Sequence, residues 1–226
     1  MSGTDLRILA FSDEVDPRLY GNSSGLSARP KPDLMIGCGD LPAYYLDYLA
    51  SQFDAPLYAI HGNHDAPPST PAAADFAHCG ATWLGGRTTC AKGLLLAGFD
   101  GSLRYNEGAY QSTQLQMHAA VRALVPWLWL NKLRFGRFLD VLVTHAPPMG
   151  VHDQPDQPHN GFEAFRWLIE TFKPRYHLHG HIHLWDRRQR ANTRIGSTEV
   201  LNVYPYRELT IPAPSPAWPA MNRSRA

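Results

Sequence analysis

Short apolar runs alternate with segments of helical periodicity along most of the chain. LRILAF, DLMIGC and APLYAI are each followed by polar or glycine-containing residues. FLDVLVTH and RYHLHGHIH have the same character in the second half of the chain. Runs of this length and composition are typical of buried β-strands. They predict strands that are covered on both faces.

Helical spacing appears between these runs. FEAFRWLIETF predicts a short helix, and residues 111–133 predict a longer one that Pro126 should kink or divide. AYYLDYLASQF also predicts a short helix that covers a sheet. Its expected apolar face consists of Tyr44, Leu46, Tyr48, Leu49 and Phe53.

The remaining apolar pieces predict further strands. ATWL, RTTCA and GLLLAGF, between Thr82 and Phe99, predict a meander, and TEVLNVYPYRELTI predicts a closing hairpin. The alternation of strands and helices predicts an α/β sandwich. We expect one domain over residues 1–211, followed by a flexible, proline-rich tail over residues 212–226.

Composition narrows the range of partners. A formal net charge of +1 gives no overall field that would gather a polyanion, so a nucleic-acid partner is not indicated. The three cysteines form no CxxC pair, which favours a reducing compartment. The N-terminus lacks the features of a signal peptide, and no apolar run has membrane-spanning length. We therefore expect a cytoplasmic protein without a membrane partner; the sequence does not define an oligomeric state.

Polar side chains follow five of the predicted strands. Each has a local explanation, such as a turn, a helix cap or a satisfied core group. Their repetition at the carboxyl ends of strands is explained more simply by one shared site. Oxygen and imidazole ligands without thiolate suit Mn, Fe or Zn. These residues are Asp13, Asp40, Asn63, His64, His145, His181 and His183.

The blocks FSD, GCGD, GNHD, VTHAPP and GHIH, in this order, resemble the signature of the calcineurin-like metallophosphoesterase family. The resemblance implies a four-layer α/β/β/α sandwich with two divalent metal ions that hydrolyses phosphoesters. It implies that His64 faces the leaving group and either protonates it or steadies the phosphate. The implied ligands are Asp13, Asp40 and His183 for the first ion, and Asp40, Asn63, His145 and His181 for the second, with Asp40 as the bridge.

The first motif departs from the family pattern at Val15, where a histidine is usual. The loss of this ligand predicts a first metal site that is weak, open to water or filled in another way. Glu14 and Asp16 are the nearby carboxylates that would substitute, and a role as solvated loop charges has equal weight. An oxygen ligand in place of a nitrogen ligand would favour Mn.

Residues around the proposed catalytic histidine also need explanation. Ala43 stands where many relatives carry an acid that orients this histidine, so His64 either lacks such a partner or uses another group such as Asp65. His152 and His159, in the polar loop after His145, are candidate substrate-binding residues. Exposure of that loop to solvent is the competing interpretation.

The function predicted from these features is that of a phosphodiesterase that acts on a nucleotide or a small diester through a metal-activated hydroxide. The alternative is a scaffold with this fold that has lost metal competence, which Val15 and Ala43 favour. A scaffold needs an exposed apolar surface, for which residues 127–130 are candidates, although adjacent apolar residues are more typical of burial on two sides. The HxHxH pattern of residues 177–181 suggests a metallo-β-lactamase-like hydrolase, but the Asp-His pair typical of that family does not follow. His177 and His179 are expected to pack or to orient a ligand.

Overall fold

Two β-sheets lie face to face between two layers of helices in the computed structural model, which describes residues 5–21, 29–184 and 191–213. Most of the predicted tail lies outside the described residues, which end at Ala213. This arrangement confirms the predicted four-layer α/β/β/α sandwich.

The first sheet contains five strands. Its strands are β1 (Leu6–Phe11), β2 (Leu34–Gly37), β3 (Leu57–Ala59), β4 (Ala81–Trp83) and β13 (Tyr206–Ile211). Their order across the sheet is β13-β1-β2-β3-β4. β1 to β4 run parallel, and β13 pairs antiparallel with β1. The carboxyl ends of β1, β2 and β3 therefore meet at one edge.

The second sheet contains six strands. Its strands are β5 (Arg87–Ala91), β6 (Leu94–Phe99), β9 (Val141–Thr144), β10 (Tyr176–His179), β11 (Asn192–Ile195) and β12 (Thr198–Asn202). Their order is β11-β12-β10-β9-β6-β5, in which the four central strands are parallel. A separate small sheet joins β7 (Ser102–Leu103) to β8 (Gln111–Ser112).

The helices form the outer layers. α1 (Ala43–Phe53) and α2 (Ala73–His78) cover the first sheet, while α3 (Gln114–Phe135) and α4 (Glu163–Phe172) cover the second. A short 3-10 helix spans Gln157–His159. Within the described ranges, no helix has both the length and the apolar character that crossing a membrane requires.

Three apolar clusters hold the layers together. Successive residues of β1 belong alternately to two of these clusters: Ile8 and Ala10 face the second sheet, while Leu9 and Phe11 face α1. All four side chains are buried. The continuous apolar runs in the sequence therefore arise because these strands are covered on both faces.

Two predicted strand pairings were wrong. β4 pairs with β3 in the first sheet, whereas β5 and β6 pair in the second, so residues 82–99 do not form one meander. Likewise β12 and β13 belong to different sheets and form no closing hairpin. The apolar pattern of the sequence predicts each strand but not the neighbouring strand with which it pairs. A turn within one sheet and a connection between two sheets give the same sequence pattern.

The predicted helices formed, with differences in their faces. α1 buries Tyr45 rather than Tyr44, which is exposed. α3 begins only at Gln114, because Thr113 caps it and the preceding residues form β8. Pro126 lies on the exposed side and does not divide this helix. Trp127 and Trp129 are also exposed, with 58% and 54% of their surfaces accessible.

Candidate metal centre

The predicted site residues lie in loops that follow the carboxyl ends of five strands, at the edge where the two sheets meet. The first sheet contributes the loops after β1, β2 and β3, and the second contributes the loops after β9 and β10. Loops at this end of parallel strands are the usual location of sites in α/β proteins. The loops carry, in chain order, Asp13, Asp40, Asn63, His64, His145, His181 and His183.

Three of these residues have a backbone conformation that side chains other than glycine rarely adopt. The φ angles are 64° at Asp13, 55° at Asp40 and 67° at His181. Such conformations cost about 1–3 kcal/mol each and concentrate at functional sites. Strain at three neighbouring candidate ligands indicates that their placement is maintained by the surrounding structure.

Two glycines allow the loops to approach closely. A Cβ atom at Gly62 would lie 2.0 Å from Asp40 Oδ1, and one at Gly180 would lie 2.6 Å from Asp13 Oδ2. Any side chain at these positions would displace a candidate carboxylate ligand. The glycines in GNHD and GHIH therefore have a steric role next to the metal motifs.

His145 is the centre of a compact cluster of ligand atoms. Its Nε2 lies 3.0 Å from Asn63 Oδ1, 3.1 Å from His181 Nδ1 and 3.2 Å from Asp40 Oδ2. The ligand atoms of Asp40, His145 and His181 all lie within 4.8 Å of one another. Two imidazoles, an amide oxygen and a carboxylate thus converge on one small volume, as a divalent cation requires.

Hydrogen bonds select the ring nitrogens that face this volume. His145 Nδ1 donates to the carbonyl oxygen of Cys38 at 2.8 Å, which leaves Nε2 for a ligand. His181 Nε2 donates to the carbonyl oxygen of Pro158 at 2.7 Å, which leaves Nδ1. A second hydrogen bond of this kind is typical of metal-binding histidines.

A tyrosine fixes the amide ligand in the same way. Asn63 Nδ2 donates to the hydroxyl oxygen of Tyr105 at 3.2 Å, so Oδ1 points to His145. Tyr105 was not predicted from the sequence, because it lies in a loop between β7 and β8 without any recognisable motif. The donor set and its hydrogen bonds fit a divalent ion.

The electrostatics of the cluster also favour a cation. Burial alone would raise the pKa of Asp40, but the His145 ring and the hydrogen bonds to the carboxylate lower it to about 2. Burial alone would lower the pKa of His145, but Asp40 and Asp13 raise it to about 10. Burial and the charge of His145 lower the pKa of His181 to about 4. In the absence of metal, protonated His145 balances the carboxylates, a role that a bound cation would take over.

Asp13 and His183 lie next to this cluster. The carboxylate of Asp13 accepts the backbone N–H of His181 at 3.0 Å, and its Oδ1 lies 3.7 Å from His183 Nε2. The nearby carboxylate of Asp13 raises the pKa of His183. The ring of Tyr204 stacks on His183 with centroids 4.6 Å apart. The structure thus places Asp13 and His183, two of the three ligands that the resemblance implies for the first ion, next to each other.

The two candidate substitute ligands have other partners. Glu14 Oε2 accepts the hydroxyl of Tyr204 at 2.7 Å, and Asp16 Oδ1 accepts Arg18 Nε at 2.9 Å. Val15 is half-buried and packs against the apolar layer around α1. The structure therefore brings neither Glu14 nor Asp16 into the ligand cluster.

His64 lines two cavities, and within the described residues no hydrogen bond or ion pair joins its ring to the Asp65 carboxylate. Its backbone N–H donates to Asp40 Oδ1 at 2.7 Å, and its ring is exposed. The carboxylate of Asp65 instead accepts the backbone N–H groups of Leu41 and Gly62 at 3.1 and 2.8 Å. Asp65 thus joins two site loops and is not the partner that would orient His64.

The two candidate substrate-binding histidines are separated. His159 lines the cavity of about 480 Å³ over the metal ligands, with its ring centroid 5.1 Å from that of His181. His152 is not part of that cavity, because its Nδ1 contacts His179 Nε2 at 2.8 Å and its Nε2 contacts Thr193 Oγ1. Gln154, which sequence reasoning did not single out, lines the cavity together with His159.

The remaining two histidines of HLHGHIHL are fully buried away from the ligand cluster. His177 Nε2 donates to Thr144 Oγ1 at 2.7 Å, and its ring packs against Phe165 of α4. Burial lowers the pKa of His177 to about 3. His179 Nδ1 donates to the carbonyl oxygen of Gly180 at 3.0 Å, next to His181. These neutral rings therefore pack against the second sheet and support the loop that carries His181.

Comparisons with known proteins identify the same architecture. The family model described as calcineurin-like phosphoesterase matches residues 10–184. One crystal structure is 16% identical, with a TM-score of 0.66, and the match covers 91% of this chain and 95% of that one. TT1561 of Thermus thermophilus is 16% identical, with a TM-score of 0.60 and coverages of 88% and 89%. GAP50, the anchor in the inner membrane complex of Plasmodium, is 12% identical, with a TM-score of 0.52 and coverages of 88% and 71%.

These structural likenesses concern the fold alone, because the sequences are so different. No curated protein matches the sequence.

The position of Val15 leads to a prediction about metal content. The ring in Val15→His would enter the apolar layer around α1, so we expect the number of Mn ions bound per chain to stay at the wild-type value. We also expect the free energy of unfolding to fall by about 1–3 kcal/mol, since a polar group becomes buried. Elemental analysis after Mn loading and urea denaturation measure the two effects, with Val15→Ala as the matched control. A gain of one ion per chain would show that residue 15 faces the metal site.

The buried His177 leads to a prediction about pH. Its pKa of about 3 lies below the ordinary value of 6.5, so below pH 6.5 the unfolded chain takes up a proton that the folded chain does not. Its contribution to stability is complete above pH 6.5 and declines as the pH falls. When the pH is lowered from 7.5 to 5.0, the free energy of unfolding should therefore decrease by about 2 kcal/mol less for His177→Phe than for wild type.

Urea denaturation of the chelator-treated proteins measures this difference. The exposed His78→Gln variant is the control and should show the wild-type loss. Equal losses for His177→Phe and wild type would mean that His177 is not kept neutral by burial.

Proposed function

The chain belongs to the calcineurin-like phosphoesterase family, and we propose that it is a metal-dependent phosphodiesterase acting on a nucleotide or a small diester. The observation that carries the proposal is the selection of ring nitrogens at His145 and His181 by the carbonyl groups of Cys38 and Pro158. The remaining ring nitrogens, His145 Nε2 and His181 Nδ1, both face the ligand atom of Asp40. This arrangement supports ligation of a divalent ion.

The proposed metal is Mn, bound at two sites that share Asp40. The donors are carboxylates, an amide and imidazoles, which suit Mn, Fe or Zn, and the oxygen-rich first site favours Mn among them. Burial raises the pKa of the Cys38 thiol well above its ordinary value, so the cysteine in GCGD is not expected to be a thiolate ligand. The first site, with Asp13, Asp40 and His183, is the weaker one because Val15 supplies no ligand.

Bound divalent ions would supply Lewis acidity and lower the pKa of water toward about 7. The chain's own residues orient the reactants. Asp40 is held by the backbone N–H of His64, which ties the metal-binding carboxylate to the catalytic loop. The exposed ring of His64 lies at the border of the metal cavity, where it is available to donate a proton to the leaving oxygen.

Two cavities support a diester over a monoester. The cavity of about 480 Å³ over the ligands and a neighbouring cavity of about 710 Å³ both include Asp40 and His64 in their walls. A diester carries two organic groups on phosphorus and can place one in each cavity, whereas a monoester carries only one. No lysine or arginine among the described residues lines either cavity, as a clamp for the additional charge of a monoester would require.

The scaffold remains the second candidate function. Val15 packs away from the ligands, and the exposed Trp127 and Trp129 provide the apolar surface that a binding protein needs. A Mn-loaded protein that retains no metal and hydrolyses no aryl phosphodiester would favour the scaffold over the enzyme.

The role of His64 is tested with two diesters that differ in the leaving group. Proton donation matters most for a poor leaving group, so His64→Gln should lower kcat/KM about 100-fold for methyl phenyl phosphate. For methyl 4-nitrophenyl phosphate we expect a loss below about 10-fold, because nitrophenolate leaves without a proton.

Steady-state kinetics of Mn-loaded wild type and variant measure the two losses. His118→Gln, on α3, is the control and should retain wild-type rates. Equal losses for both esters would assign His64 to holding the phosphate rather than to protonating the leaving group.

A further inference from the structure

We propose that the cavity beside His64 binds the leaving alcohol and selects leaving groups that have an apolar body and no negative charge, with cationic alcohols preferred. We call it the leaving-group cavity; it lies between α1 and α2 and has a volume of about 710 Å³. The inference rests on the proposed phosphodiesterase function and specifies its substrate class.

The position of the cavity connects it to the reaction. Asp40 and His64 form the border that it shares with the cavity over the metal ligands. A group that His64 protonates as it leaves phosphorus must lie on the same side as the His64 ring. His64 is part of the wall of the leaving-group cavity, which is therefore a space that a departing alcohol could occupy.

The wall of the cavity is made largely of small and apolar side chains. Pro42, Ala43 and Ala66 line it together with Phe76 of α2. Ala43 contributes only a methyl group at the first residue of α1. Burial of an apolar leaving group against these side chains is favourable by about 25 cal/mol for each Å² removed from water.

The charged groups of the cavity have one dominant sign. Asp47 of α1 and Asp75 of α2 line it, and both are exposed. Neither carboxylate has a hydrogen-bond or ion-pair partner through its side chain within the described part of the chain. None of the lining residues is lysine or arginine.

Unpaired carboxylates of this kind create a negative potential that repels anions and attracts cations. The exposed ring of Tyr44, which also lines the cavity, offers a π face to an ammonium group. The expected leaving groups are therefore amino or quaternary ammonium alcohols and neutral aromatic alcohols. Leaving groups that carry a carboxylate, sulfonate or second phosphate are disfavoured.

The test uses three methyl aryl phosphates whose phenols have similar acidity, namely 4-acetylphenol, 3-(trimethylammonio)phenol and 4-sulfonatophenol. The methyl group keeps the other substituent constant, so kcat/KM reports the charge of the leaving group. For the Mn-loaded wild type we expect the cationic ester to exceed the anionic ester by about 10-fold at low salt. In the double variant Asp47→Asn with Asp75→Asn, this ratio should fall to about 2-fold or less.

The neutral ester separates failure of the inference from failure of the proposed function. Its kcat/KM should be the same in wild type and double variant, because neither aspartate contacts the metal ligands or His64. Asp54→Asn, at the exposed C-terminal end of α1 and outside the cavity, is the matched control and should keep the wild-type ratio.

Equal rates for cationic and anionic esters in wild type, or an unchanged ratio in the double variant, would overturn the inference while leaving the phosphodiesterase function intact. A wild-type protein that hydrolyses none of the three esters would overturn the proposed function itself.

Discussion

Two hydrogen bonds from imidazole rings to backbone carbonyl groups determine what this site can bind. A neutral imidazole has one nitrogen that donates and one that offers a lone pair. Cys38 accepts the Nδ1 proton of His145 and Pro158 accepts the Nε2 proton of His181, so His145 Nε2 and His181 Nδ1 face Asn63 and Asp40. A bound cation would replace the second proton of His145 and use both lone pairs. Without these carbonyl groups, either ring could turn its N–H toward the other ligands.

The same hydrogen bonds make the site depend on the packing of the two sheets. His145 follows β9 of the second sheet, whereas Cys38 follows β2 of the first. Their contact requires the apolar layer between the sheets, in which Ile36 and Val143 are both buried. Core packing and metal binding are therefore linked, since a shift of one sheet against the other would separate His145 from its carbonyl partner.

The strand ends could be predicted from the sequence because an apolar run and the polar residue that follows it are adjacent in the chain. That is why Asp13, Asp40, Asn63, His145, His181 and His183 could be named together before their distances were known. The partners that orient them are not local. Tyr105 lies 42 residues from Asn63, and its loop has no pattern that distinguishes it from a solvent-exposed turn. The sheet to which β4 and β13 belong was likewise not encoded in their periodicity.

The two metal sites differ in how many of their ligands have a second hydrogen bond that fixes the ligand atom. Asn63, His145 and His181 each have a second hydrogen bond that fixes the ligand atom. Around Asp13 and His183, Val15 faces the apolar layer and Glu14 contacts Tyr204 instead. The direction of the Glu14 and Asp16 side chains could not be predicted, because the strand ends at Phe11 and side-chain alternation ends with it.

The most direct test of the account is anomalous X-ray diffraction from crystals of the Mn-loaded protein, measured on both sides of the manganese absorption edge. We expect a peak in direct contact with Asp40 Oδ2, Asn63 Oδ1, His145 Nε2 and His181 Nδ1, accompanied by a weaker one beside Asp13 and His183. A Mn-loaded crystal whose anomalous peaks all lie away from His145 would contradict the assignment of this cluster as the metal centre.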